Sequence, residues 1–309
     1  MTFASRDEMR GSSYVEPNME TLPIIDRSNR DDIELIDYLF DVHGYLVLKD
    51  GVDPGDINEL NTWADAHQNH MDGPRRQGTD TEGAWIGHVE THTYSGADGI
   101  NFQNIIEAGG VFERLIDYPS WIDHIHRFVH VERNGLSIHE CLLNLRGRGG
   151  FIGIHSGGHL PISYMTFRQP NTGDWMVGQI NVITALQDIG PGDGPTTLVP
   201  GSHKAARPHP RLAEVAAATY RSNEAAGTAV GMRELYLDAG DVLLFTDAIT
   251  HGSAARTNDG YRRMVLYRYS PRWIRSRFHY VPSEQMLARL TPEQRQIIQP
   301  IPPRKPPAG

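Results

Sequence analysis

One cysteine, Cys141, is all that 309 residues contain. A single thiol closes no intrachain disulfide and supplies neither a thiolate zinc cage nor an iron–sulfur cluster. That scarcity suits a reducing cytoplasm, where the protein is expected to reside. Long apolar runs are missing as well. No stretch of about 18 apolar residues occurs, and the opening MTFASRDEMRGSSYVEPN carries charges where a signal peptide needs an apolar centre. A membrane span is therefore not expected. Positive charge is also short, with 29 Lys and Arg against 38 Asp and Glu and a formal net charge of −9. Such a chain offers no electrostatic footprint to nucleic acid or to an anionic membrane surface.

What the chain does have is enough apolar sequence, 39%, to bury a real core, and 15 histidines. Residues 1–30 are polar and punctuated by Pro and Gly, which reads as an arm. From Asp31, DDIELIDYLFDVHG places Ile33, Ile36, Leu39 and Phe40 on one helical face, with Asp at the start and Gly44 at the stop. YLVLKDG reads as a short strand, and Asp53 and Pro54 open a second helix. Residues 71–100 lose periodicity and are expected to be loop, a lid candidate, with His88 and His92 solvated on it. Helical spacing returns in VFERLIDYPSWIDHIHRFV.

Strand texture then takes over. LSIHECLLNLR, VGQINVITALQDI, TTLVP, RELYL, DVLLFT and RRMVLYRYS are short β-rich runs separated by turns such as GPGDGP. Little helical sequence separates them, so an antiparallel sandwich or barrel is expected and βαβ units are not. RLAEVAAATYRSNEAAG is the one helical excursion anticipated. No internal repeat or linker divides the chain, so residues 31–298 read as one domain, followed by a Pro-rich, extended tail at 299–309.

Spacing singles out two of the histidines. His155 stands in FIGIHSGGHLP after an apolar run, and His251 ends the apolar run DVLLFTDAITH, with Ser253 two residues on and Arg262 in the next strand. Imidazole nitrogens suit Fe(II), and the guanidinium fork suits a carboxylate. Two core histidines spaced this way by accident are the plainer alternative. GPGDGP lacks the Lys-Ser/Thr and following helix of a phosphate loop and is assigned to a turn.

With these residues in view, the chain resembles the phytanoyl-CoA dioxygenase family, a branch of the Fe(II)- and 2-oxoglutarate-dependent oxygenases. FDVHGYLVLKDGV, FERLIDYPSW, LVPGSHK and GDVLLF…HGS…RRMVLYRYSP carry the resemblance by their order and spacing. It implies a mainly β fold, a double-stranded β-helix or jelly roll with flanking helices, which oxidises an unactivated C–H bond of a small molecule using Fe(II), 2-oxoglutarate and O2. It implies further that His155 and His251 hold the iron, and that Arg262, helped by Ser253, binds the far carboxylate of 2-oxoglutarate.

One position departs from that family. Its proximal motif is His-x-Asp or His-x-Glu, and here the third member is Gly157. Loss of the carboxylate leaves a coordination position and a unit of positive charge, both of which chloride would satisfy. Some related oxygenases with Ala or Gly there bind chloride or bromide and deliver halogen to the substrate, so the resemblance makes Gly157 a candidate halide site and chlorination the favoured outcome. Hydroxylation by an otherwise similar enzyme, or a jelly-roll binding protein without catalysis, are the alternatives. A carboxylate from elsewhere, such as Glu140 or Asp174, could also complete the site. His159 could replace His155 as ligand, although contact with a ligand or with the substrate fits its spacing better.

Overall fold

The computed structural model describes residues 22–73, 76–77, 84–93, 99–155, 167–168, 171–205, 221–225, 230–274 and 281–299, with 76–77 and 221–225 described by backbone alone. Among these residues the strands form two sheets, of ten and five strands. The larger runs, in spatial order, from Ile24–Ile25 through Tyr45–Leu48, Val242–Thr246, Ile180–Ala185, Arg262–Ser270, Ser137–Arg146 and Ile100–Gln103 to Val89–Thr93 and Arg76–Gln77, with Ala84–Ile86 also on Val89–Thr93. The smaller runs Arg221–Ala225, Gly153–His155, His251–Ser253, Thr196–Leu198, Arg233–Leu235. Pairing is antiparallel except for Ile24–Ile25 on Tyr45–Leu48 and Arg76–Gln77 on Val89–Thr93. The first of these ties the end of the N-terminal arm to the sheet. This is the helix-flanked jelly roll that the sequence leads one to expect.

Each strand of the large sheet divides its side chains between two layers, because successive residues point to opposite faces. Tyr45, Val47, Ile183, Leu243, Phe245, Met264 and Leu266 form one apolar cluster with Leu198 and Leu235 of the small sheet. Leu46, Val182, Leu244, Val265 and Tyr267 face the opposite way and join the helices in the other. There Phe40 stacks on Phe128 with ring centroids 4.0 Å apart. Asp32 caps the Ile33–His43 helix by accepting from the Leu35 N–H, and Gly44, at φ 79°, ends it. Ile36 and Phe40 are fully buried as their spacing requires, but Ile33, at the first helical position and ahead of those contacts, is 43% exposed. No helix among the described residues is long and apolar enough to cross a membrane.

Three sequence expectations need correction. Within the expected loop at 71–100, residues 84–86 and 89–93 are strands, and Ile100 opens the strand Ile100–Gln103. Their alternation is hard to see because Glu90, His92, Asn101 and Gln103 are buried polar residues where hydrophobic ones would have marked an inward face. His88 is exposed as expected, but His92 is buried. The helical stretch from Val111 is broken: Val111–Arg114 gives way to a 3-10 turn, and Ile122–Val129 begins anew. Pro119 forces the break, since the residue before proline avoids the helical region, and Tyr118 is extended at ψ 134°. Arg221–Ala225, inside the anticipated helical excursion, is a strand paired with Gly153–His155. The rest of that excursion up to residue 220 lies outside the described residues.

His124, in the Ile122–Val129 helix, gives the fold a pH dependence. Burial, aided by the charge of Arg127 and opposed by Asp123 and Asp37, brings its pKa down from 6.5 to about 4. Its Nδ1 accepts from Arg127 Nη2 at 3.2 Å, which requires a neutral ring. Between those two pH values the unfolded chain binds the proton and the folded one does not. The contribution is therefore intact above pH about 6.5 and falls away as the pH drops toward 4, by up to about 3 kcal/mol. Urea unfolding at pH 7.5 and 5 should show this loss in the wild type and a smaller one in His124→Gln. Equal losses in both would assign the effect to other groups.

Candidate functional site

His155 and His251 are cross-strand partners on the small sheet. Their rings lie 4.0 Å apart, centroid to centroid. Each Nδ1 sits beside the carbonyl two residues earlier, His155 on Gly153 O at 2.9 Å and His251 on Ile249 O at 2.8 Å. A carbonyl only accepts, so both Nδ1 atoms carry the proton and both Nε2 atoms carry the lone pair. Backbone orientation of one imidazole nitrogen is the usual way in which a protein sets the other to bind a metal.

Ser253 follows His251 by two residues and faces the same side of its strand. Its Oγ accepts from Arg146 Nη1 and from the Ile152 N–H, both at 2.7 Å. With two donors aimed at the oxygen, the hydroxyl hydrogen is left to donate to an acceptor such as a carboxylate. Arg262 is the cross-strand partner of Arg146. Arg262 is 1% exposed and Arg146 fully buried. The Nη groups of Arg262 donate to the Gly194 carbonyl and to Asn144 Oδ1, both neutral, and its Nε has no partner among the described residues. Burial, then the like charges of Arg146 and Arg256, press its pKa far down. A guanidinium does not give up its proton, so an incoming anion is what relieves that pressure. Arg256 differs, being paired to Asp193 at 2.9 Å.

The turn GPGDGP serves this end of the site. Gly194 has φ 72°, and a Cβ there would come within 3.1 Å of the Arg256 N and 3.2 Å of the Ala254 carbonyl. Only glycine fits the place from which its carbonyl meets Arg262. Arg263 points away, to Asn61 and Asp65 of the Pro54–His67 helix, as strand alternation requires.

A carboxylate also stands at the histidines. Asp247 Oδ1 is 3.8 Å from His251 Nε2 and accepts from Asn181 Nδ2 at 3.0 Å. Burial would raise its pKa, but positive charge at His251 whenever that ring is protonated, then at Arg268 and at His155, together with the bond from Asn181, outweighs it and draws the pKa down. Among the described residues no three His, Cys, Asp or Glu side chains are already gathered at metal-holding distance. The other carboxylates considered from sequence serve elsewhere. Glu140 pairs with Arg268 and accepts from Gln103, and Asp174 is a half-exposed loop residue. Gly157 and His159 lie outside the described residues.

Sequence reasoning missed Asp247 and Arg146. Both had a signal, a charged residue at the end of an apolar strand, in VLLFTD and CLLNLR. In each the apolar alternation predicts an inward position, where a charge demands a partner.

Residues 163–264 match the model of the phytanoyl-CoA dioxygenase (PhyH) family. That span takes in His251, Ser253 and Arg262 and begins after His155 and Gly157. No curated protein sequence matches the chain. Among solved structures, HygX from Streptomyces hygroscopicus with nickel and 2-oxoglutarate bound aligns at a TM-score of 0.61 and 18% identity, over 81% of this chain and 91% of HygX. HygX with hygromycin B bound as well gives 0.60 at 18%, over 81% and 92%. The iron-bound form gives 0.58 at 18%, over 85% and 94%. The chain therefore shares the fold of HygX and, from residue 163 to 264, the sequence pattern of the phytanoyl-CoA dioxygenase family.

Proposed function

We propose that the protein is an Fe(II)- and 2-oxoglutarate-dependent enzyme that oxidises a C–H bond of a small molecule. One observation carries the reading: two imidazoles with Nε2 set for a metal share a strand pair and an interior with Ser253 and two buried guanidinium groups. The donor set fits iron, with imidazole nitrogens and a nearby carboxylate. His155 and His251 would hold it. Iron(II) with 2-oxoglutarate and O2 supplies the oxidant, as 2-oxoglutarate, O2 and R–H become succinate, CO2 and R–OH.

The residues of the chain bind and orient. Arg262 and Arg146 neutralise the far carboxylate of 2-oxoglutarate, while Ser253 donates its hydroxyl hydrogen to it. Substrate placement then selects the bond attacked. Glu90, His92, Asn101 and Gln103 bring polar groups to the large sheet next to Asn144 and Leu142, which suits a hydrophilic substrate. That HygX has been crystallised with hygromycin B agrees with a substrate of this character.

Halogenation is the second reading, favoured by Gly157 in the His-x-Gly motif. In that case R–H, chloride and a proton, with 2-oxoglutarate and O2, give R–Cl, water, succinate and CO2. Chloride would then perturb the visible spectrum of the iron complex, and Gly157→Asp would remove the effect. An indifferent spectrum leaves hydroxylation.

Cobalt(II) and 2-oxoglutarate together test the main reading without turnover. Each at about 100 times its Kd stabilises the fold by about 2.7 kcal/mol, a rise of several degrees in Tm. Anaerobic Fe(II) reconstitution followed by O2 should release succinate. A binding module without catalysis would give neither result, and that outcome would retire the enzyme reading.

A further inference from the structure

Gly157 removes a negative charge from the expected position after His155, and two neutral imidazoles do nothing to balance a divalent metal. Among the described residues, Asp247 is a carboxylate placed to do so. It is 6% exposed and precedes His251 by four residues, at the end of the Val242–Thr246 strand. Its backbone N–H donates to the Gln179 carbonyl at 3.0 Å, and Asn181 Nδ2 holds Oδ1 at 3.0 Å. Oδ1 is 3.8 Å from His251 Nε2. Two donors on adjacent positions of an octahedral metal, each at about 2.1 Å, lie about 3.0 Å apart. The gap to close is thus under about 1 Å, a movement for a side-chain torsion and not for the backbone.

Building on the metal-dependent reading above, we propose that Asp247 supplies the carboxylate at the iron that Gly157 does not, and so takes the place a halide would otherwise fill. The carboxylate comes from the segment leading into the distal histidine instead of the one following the proximal histidine. Two histidines and one carboxylate then balance the metal as they do when the carboxylate follows the proximal histidine. A chloride beside Asp247 would meet a second anion at close range, and the substrate carbon receives hydroxyl.

The full-length chain is to be titrated anaerobically with Fe(II), and with cobalt(II) as a stand-in that does not react with O2, in the presence of 2-oxoglutarate, with and without chloride. Metal binding to Asp247→Asn and Asp247→Ala should weaken tenfold or more, and Asp247→Glu should retain part of it. Asp247→Asn keeps an oxygen for Asn181 and so preserves the fold, which circular dichroism checks. The wild-type charge-transfer spectrum should ignore chloride, whereas Asp247→Ala should acquire a chloride response. The wild-type measurement needs no variant and stands even if a variant misfolds. Undiminished metal binding in a folded Asp247→Asn, or a wild-type spectrum that shifts with millimolar chloride, overturns the inference while leaving the metal-dependent function in place. A wild-type chain that binds no metal overturns both.

Discussion

Replacing His251 by Ala should reduce Fe(II) binding to below stoichiometric detection, a loss of at least about 100-fold, and the same is expected of His155→Ala. Each ring is oriented by its own backbone, Nδ1 to the carbonyl two residues before, which leaves Nε2 as the nitrogen that would take a metal. His251 is only 5% exposed, so Ala leaves a void, and a moderate loss of stability accompanies the loss of metal. Folding therefore has to be checked by circular dichroism before metal content is counted. Metal retained in folded His155→Ala would move the ligand to His159, and metal retained in His251→Ala would remove the centre from this strand pair altogether.

Arg262→Ala is expected to weaken 2-oxoglutarate binding about 30- to 1000-fold, the equivalent of about 2–4 kcal/mol for a lost charge-assisted, two-pronged contact. Isothermal titration with cobalt(II) present measures it directly. Arg262→Lys keeps the charge but not the fork, and should fall between wild type and Ala. The adjoining Arg146 makes the outcome more informative. Arg146→Met should also weaken 2-oxoglutarate binding, because it removes one of two positive charges and one of the donors that orient Ser253 Oγ. Unchanged affinity in Arg262→Ala would sink the cosubstrate assignment, and Arg263→Ala, which alters only the contacts to Asn61, Gln68 and Asp65, serves as the control.

How much of this could be read from the residues depends on what marked them. Strands with apolar inward faces, such as Val242–Thr246 and Arg262–Ser270, announced themselves by β-rich composition and bounding turns. So did the capped helix at Ile33–His43. Val89–Thr93 and Ile100–Gln103 did not, because their buried positions are Glu, His, Asn and Gln, and a polar interior has no hydrophobic period to detect. The site divides along the same line. His155, His251, Ser253 and Arg262 were legible from order and spacing along a single chain. Asp247 and Arg146 become significant only when Asn181 and Ser253, distant in sequence, are seen to meet them. The apolar run before Asp247 marks it as an inward charge, but which residue answers that charge is not written in its neighbours.

The His251–Ser253 strand has only three residues, and under the proposed function its first and last side chains would serve different guests, a metal and an anion. Its alignment is shared with Gly153–His155 on one side and Thr196–Leu198 on the other. Because side chains in a strand alternate, a slip of a single residue would turn His251 and Ser253 outward together and present Gly252 in their stead. The proposed metal and cosubstrate sites would therefore be created or destroyed in one event. Partial occupancy of the site by one guest cannot reflect a half-formed strand, and sequence change that retunes this protein for another substrate has to fall on the surrounding walls, not on those three residues.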